Sequence, residues 1–181
     1  MGINKGYLTA KTDKASDEVF TPKYAVYPII KYIKNKFTNP IVWCPFDKQD
    51  SNFVKCLKEN GCEVIATHID DELNFFFYEP KEHYDCIVSN PPFSIKDAIF
   101  KRLYELNKPY AMLVPLPTLQ GEKRFKYLKG AQALVFDKRV QYIKNWDEQI
   151  IEKNPPFASM YLCKDMLSDN LILEELVREP I

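Results

Sequence analysis

From residue 39 onward the chain alternates short apolar runs with stretches whose apolar residues recur at helical spacing. The runs 41–44, 63–69, 84–89, 110–116, 131–136 and 158–163 are nearly continuous in Val, Ile, Leu, Met, Cys and Tyr. Runs of this kind predict strands buried on both faces. The intervening segments 51–60, 95–107 and 122–129 predict helices. Phe53, Val54 and Leu57 point inward on the first, and Ala98, Ile99, Leu103 and Leu106 on the second; Gly61 and Gly130 stand where helices end. Residues 171–177 read as a last helix. Ahead of this pattern, residues 16–35 read as a helical unit with Tyr24, Tyr27, Ile30 and Ile33 on one stripe, Asp17 or Thr21 as cap and Pro22 in the first turn. Pro28 interrupts that stripe and marks a kink or a later start.

Alternating strands and helices predict an α/β fold with a Rossmann-like, doubly wound, mainly parallel sheet. The late strands follow one another with little helix between them, which predicts an antiparallel edge. The expected layout is a polar tail over residues 1–16 and one domain over 17–181.

Composition narrows the class. The 181 residues are 46% hydrophobic and 14% aromatic with no net charge, enough apolar content for one core and unlike a disordered chain. No apolar run nears the roughly 18 residues that cross a bilayer, and the Lys-rich start lacks a secretory apolar stretch. A cytosolic protein is expected. Five cysteines without CxxC spacing and two histidines predict free thiols rather than a disulfide framework or a metal site. Charge is uneven. Residues 1–38 and 95–144 are basic, residues 39–94 and 145–181 acidic, so a neutral protein can still turn a basic surface to a polyanion.

The segment richest in chemistry is Tyr84-Asp85-Cys86-Ile87-Val88-Ser89-Asn90-Pro91-Pro92-Phe93. An apolar strand runs into an amide, two prolines that stiffen the turn, and an aromatic ring, at the strand end where α/β folds bind ligands. The same four residues recur at Asn154-Pro155-Pro156-Phe157, after charged Glu152-Lys153 and before a strand, where a loop is expected.

Asn90-Pro91-Pro92-Phe93 resembles the catalytic motif of S-adenosylmethionine-dependent amino-methyltransferases that modify adenine N6, most closely the small phage-type DNA enzymes. Other segments follow in the family's order. Val19-Phe20-Thr21-Pro22 is similar to its N-terminal cofactor motif, Trp43-Cys44-Pro45-Phe46-Asp47 to its first nucleotide-binding motif, Asn74-Phe75 to its Asp-Phe adenine contact, and Phe157-Ala158-Ser159 to a late motif. The resemblance covers roughly residues 17–165 and implies a class I methyltransferase fold. It further implies S-adenosylmethionine as cofactor, with Asn90, Pro91, Pro92 and Phe93 as the catalytic turn. Phe20, Thr21, Pro22, Cys44, Pro45, Phe46, Asp47, Asn74 and Phe75 become its cofactor contacts. Asp47 or Asp50 would face the ammonium, and Asp70 or Asp71 the ribose hydroxyls. The chain departs from the family in two places: the loop after residue 44 has no glycine, and Asn74 replaces Asp.

The residue types suit that chemistry. The Asn90 amide oxygen and the Pro91 carbonyl would accept both N–H groups of an adenine amine and turn its lone pair toward the methyl donor, while Phe93 stacks on the extruded base. The stretches between Ser51 and Asn90 and after Phe157 are too short for an ordinary target-recognition domain, so short loops, the N-terminal tail, a second protomer or a partner protein are expected to read sequence. Lys96, Lys101, Arg102, Lys123, Arg124, Lys126, Arg139 and Lys144, with Tyr127 or Tyr142 nearby, form the expected nucleic-acid surface. The expected function is adenine-N6 methylation of DNA. RNA as substrate, and a degenerate methyltransferase that binds nucleic acid or a partner without turnover, remain open. A hydrolase built on Cys86 is disfavoured, since a mid-strand thiol is buried.

Overall fold

Each apolar run forms a strand because its residues alternate between two separate cores. The computed structural model describes residues 20–147, 149–153 and 156–178. The strands are β1 (Ile41–Cys44), β2 (Glu63–Ala66), β3 (Cys86–Ser89), β4 (Tyr110–Pro115), β5 (Gln132–Phe136), β6 (Ile143–Asn145), β7 (Ile150–Ile151), β8 (Ser159–Lys164) and β9 (Leu171–Glu174). The helices are α1 (Lys23–Lys36), α2 (Asn52–Glu59) and α3 (Lys96–Leu106). Val42, Cys86, Val88, Ala111, Leu113, Leu134 and Tyr161 pack under α1 and α2 on one face. Trp43, Ile87, Tyr110, Met112, Met160 and Leu162 pack with Ile99, Phe100 and Leu103 of α3 on the other. The result is an α/β, doubly wound, mainly parallel sheet.

The seven strands run in the order β2-β1-β3-β4-β8-β5-β9. β1, β2, β3 and β4 are mutually parallel. The chain leaves β1 for β2 in one direction and β3 for β4 in the other, so the winding reverses between β1 and β3. In doubly wound sheets, loops diverge at such a reversal, and ligands bind beyond the carboxyl ends of the two strands. The antiparallel member is β8, which lies inside the sheet between β4 and β5 rather than at its edge. β6 and β7 form a separate antiparallel ribbon, bridged to Phe20.

Two predicted helices are absent. Residues 171–177 supply the strand β9, parallel to β5. Leu and Glu favour a helix locally, but β5 has one open edge and the segment satisfies it. Ala133 N–H donates to Asn170 C=O at 2.8 Å, and Glu174 accepts from Tyr32 Oη at 3.1 Å and Lys31 Nζ at 2.7 Å. Segment 122–129 forms only a 3₁₀ turn at Phe125–Tyr127, because Arg124 is drawn inward by bonds described below. Two boundaries also shift. β2 stops at Ala66, and a 3₁₀ turn at Ile69–Asp71 replaces its expected end. α1 begins at Lys23 with Pro22 preceding it and no side-chain cap; it accommodates Pro28 in its interior, and Asp17 lies outside the described residues.

α2 begins as expected, with the Ser51 hydroxyl accepting from Val54 N–H at 3.2 Å. Gly61 follows it at φ +81°, a conformation that costs glycine little. All five cysteines are buried and none is in a disulfide. Burial pushes the Cys86 thiol far up, which leaves it inert as a nucleophile. Among the described residues no helix is long and apolar enough to cross a membrane.

Candidate functional site at the switch point

The loops leaving β1 and β3 are joined by one buried contact. Ser89 Oγ, at the end of β3, donates to Asp47 Oδ2 in the loop after β1. Asp47 is 8% exposed. Its burial pushes the carboxyl up from 3.8 to about 6, against the opposing pull of the Ser89 and Ser51 hydroxyls. A carboxylate held this way gains from any cation that enters beside it. Asp50, the other acid of this loop, is exposed.

One residue beyond Ser89, the Asn90 Oδ1 atom is buried and has no hydrogen-bond partner. Pro91 is buried beside it, and Pro92 and Phe93 are half-buried. A buried acceptor without a donor costs about 1–3 kcal/mol, so such atoms are rare in native proteins. The two prolines hold the turn that carries this one. Lys96 Nζ donates to the Phe93 carbonyl at 3.2 Å, tying the turn to the start of α3. The Phe93 ring meets Phe157 edge-on at 5.3 Å and Tyr142 at 6.5 Å. The second Asn-Pro-Pro-Phe sequence therefore delivers its Phe157 to the first; Asn154 and Pro155 lie outside the described residues.

Thr21 arrives at the same side of the sheet. Its carbonyl accepts from Asn52 Nδ2 at 2.8 Å, at the start of α2, and its Oγ1 is a second buried atom without a partner. Phe20 is 39% exposed, bonds in both directions to Ile143 of β6, and packs on Trp146 at 5.4 Å. Cys44 and Pro45 are buried, and Cys44 faces the core. Phe46 folds onto Phe75 at 4.9 Å, and Phe75 itself is 2% exposed against Trp43. Phe75 thus shapes the wall from behind and presents no open ring face. Asn74 Oδ1 accepts from Phe76 N–H at 3.0 Å, which turns its own loop. Asp70 is exposed after β2 and pairs with Lys48 at 2.8 Å. An exposed pair of this kind is worth about 0–1 kcal/mol, so Asp70 can exchange Lys48 for ligand hydroxyls. Asp71 is exposed beside it.

Of the eight basic residues, several already have partners within the protein. Lys101 pairs with Glu105 at 3.0 Å, Arg102 approaches Glu79 at 3.6 Å, and Lys144 pairs with Glu152 at 2.6 Å. Arg139 lies on another segment, where its carbonyl accepts from Arg178. Arg124 is 7% exposed and serves the interior: Nε donates to Thr118 C=O at 2.7 Å, and its other nitrogens reach Asp97 and the Gln120 carbonyl. This corrects its expected place among phosphate contacts. Tyr142 is likewise buried, its Oη 2.8 Å from Ser159 Oγ. Lys123 and Lys126 are exposed.

Gly121 lies flat against the Arg124 guanidinium, where a Cβ would overlap it. Gly121→Ala is expected to destabilise the protein by about 1–3 kcal/mol through this overlap, read as a Tm several degrees lower. An unchanged Tm would mean that the guanidinium moves freely and does not brace the loop.

Sequence patterns did not single out Ser89, which ties the two loops, or Thr118, whose buried Oγ1 also lacks a partner. The repeated Asn-Pro-Pro-Phe was the available signal for Phe157 beside Phe93. Fold and site together define a doubly wound α/β domain with buried polar atoms, some of them unsatisfied, at its switch point. No protein-family model matches the chain, and no curated protein matches it. Among solved structures, the chain is similar to that of the 23S rRNA methyltransferase ErmE. The TM-score is 0.44 at 14% identity, covering 80% of this chain and 69% of that one, a distant likeness in layout.

Proposed function

We propose that this protein transfers the methyl group of S-adenosylmethionine to the N6 amine of adenine in DNA. The observation that carries the reading is the Asn90 amide oxygen, buried at the carboxyl end of β3 with no donor. An adenine amine supplies the missing N–H. The Pro91 carbonyl would take the second N–H, so the exocyclic N6 becomes pyramidal and its lone pair, withdrawn from the ring, faces the sulfonium methyl; the C–S bond breaks as N–C forms, S-adenosylhomocysteine leaves, and the surplus N6 proton passes to water. Phe93, braced by Phe157 and Tyr142, offers the ring against which an extruded base stacks.

The groups at the switch point fit the cofactor. Asp47 supplies a buried carboxylate suited to the ammonium of the methionine moiety, and Asp70 follows β2 where doubly wound folds place a ribose ligand. Thr21 Oγ1 adds a further unsatisfied hydroxyl on the same side. Bound there, the cofactor supplies an electrophilic methyl group; the chain contributes position, exclusion of water and two hydrogen-bond acceptors. RNA would present the same purine amine, and a binding protein without turnover would retain the same turn.

The deciding experiment is incubation with isotopically labelled S-adenosylmethionine and DNA or RNA of matched sequence, followed by nucleoside mass spectrometry. Labelled N6-methyladenine in DNA is the expected product. Label confined to RNA replaces the substrate, and no label despite cofactor binding removes the enzymatic reading.

A further inference from the structure

The loop leaving the carboxyl end of β4 carries features that neither the fold nor methyl transfer uses. Leu119 is 45% and Phe125 63% exposed. They wall a shallow apolar concavity completed by Gln120, Gly121 and Glu122. Scattered exposed apolar residues are ordinary, but these two stand on a braced base. Arg124, buried directly before Phe125, binds the Thr118 and Gln120 carbonyls and Asp97. The guanidinium occupies the space a Cβ at Gly121 would take, and the Gly121 carbonyl accepts from both Arg124 and Phe125 N–H. An exposed ring on a pre-ordered loop loses little freedom when it binds.

Position and charge say what it would bind. β4 lies beside β3, and Asp97 sits in the first turn of α3, directly after the Asn90–Phe93 turn. Lys123, Lys126 and Lys129 are exposed in the same stretch, with Glu122 its one acid, and Lys126 Nζ lies 4.9 Å over the Tyr127 ring. Exposed lysines flanking an exposed aromatic residue along the chain match a strand that alternates phosphates with bases.

We propose that Leu119 and Phe125 form a stacking wedge for the nucleotides next to the target base, with Lys123 and Lys126 on the flanking phosphates. Extruding a base leaves uncovered base faces in the stack, and an apolar ring that covers them offsets part of the unstacking cost. Arg124 holds the wedge in place from beneath. The inference rests on the nucleic-acid reading above and names its contact surface.

The test uses the full chain and a short adenine-containing DNA duplex. Phe125→Ala is expected to bind the duplex about tenfold more weakly by fluorescence anisotropy, the loss typical of one base–aromatic stack, with its Tm unchanged. A duplex with an abasic site opposite the adenine, already unstacked, is expected to lose less. Phe125→Trp is expected to add an emission component that the duplex quenches. Equal affinity in Phe125→Ala or an unquenched Phe125→Trp overturns the wedge. Quenching without methyl transfer keeps the wedge and removes the enzyme; methyl transfer with no quenching does the reverse.

Discussion

Asn90→Ala is expected to lower methyl transfer by at least about 10²–10³-fold, the usual loss when one pre-placed hydrogen-bonding group is removed from a transition state. The variant is expected to melt at the wild-type temperature or slightly above it. That pairing is unusual and follows from the geometry. The amide oxygen is buried without a donor, so in the free protein it costs stability, and its removal relieves the cost. Its benefit arrives only with a substrate amine. Asp47 and Thr21 do not depend on it, so calorimetry with S-adenosylmethionine is expected to give wild-type affinity. Wild-type turnover by Asn90→Ala would remove the residue from the reaction. A lower Tm would mean that the amide is structural.

Asp47→Asn is expected to separate stability from cofactor binding in the other direction. The carboxyl titrates near 6 in the folded protein against 3.8 ordinarily. Because the folded value is the higher one, the folded state binds the proton more tightly. The associated stability is therefore fully present below 3.8 and is lost as pH rises through 6. The loss amounts to about 3 kcal/mol across that window. Denaturant titrations at several pH values are expected to show the wild type losing stability there while Asp47→Asn stays level, leaving the variant the more stable at neutral pH. Affinity for S-adenosylmethionine moves oppositely. The ionised carboxylate is the form that attracts an ammonium, so wild-type affinity is expected to fall as pH drops below about 6. The variant is expected to bind at least tenfold more weakly at neutral pH, since removing one member of a buried charge pair costs about 2–5 kcal/mol. Cofactor affinity independent of both pH and the substitution would place the ammonium elsewhere.

The same two residues mark how far the site was legible in sequence. Asn90 was recognisable because an apolar strand ending in amide, diproline and aromatic is a local pattern, complete within a few residues. Asp47 was recognisable as one of two acids in its loop. What separated it from Asp50 was burial beside Ser89, forty-two residues away in the chain. Arg124 was misplaced for the same reason: its own surroundings are basic, and the carboxylate that draws it inward comes from α3. Phe75 looked like a free aromatic contact until Trp43 and Phe46 closed on it.

The positions of β1 to β5 and β8 and the α/β class were settled by residue order, because apolar runs act over neighbouring residues. The tertiary structure decided that Leu171–Glu174 is a strand, that β8 runs antiparallel inside the sheet, that Phe157 meets Phe93, and that Asp47 holds its proton near pH 6. Each of these depends on a partner brought from a distant segment. Edge pairing, ring contact and desolvation are properties of the assembled surroundings, and no window of local sequence contains them.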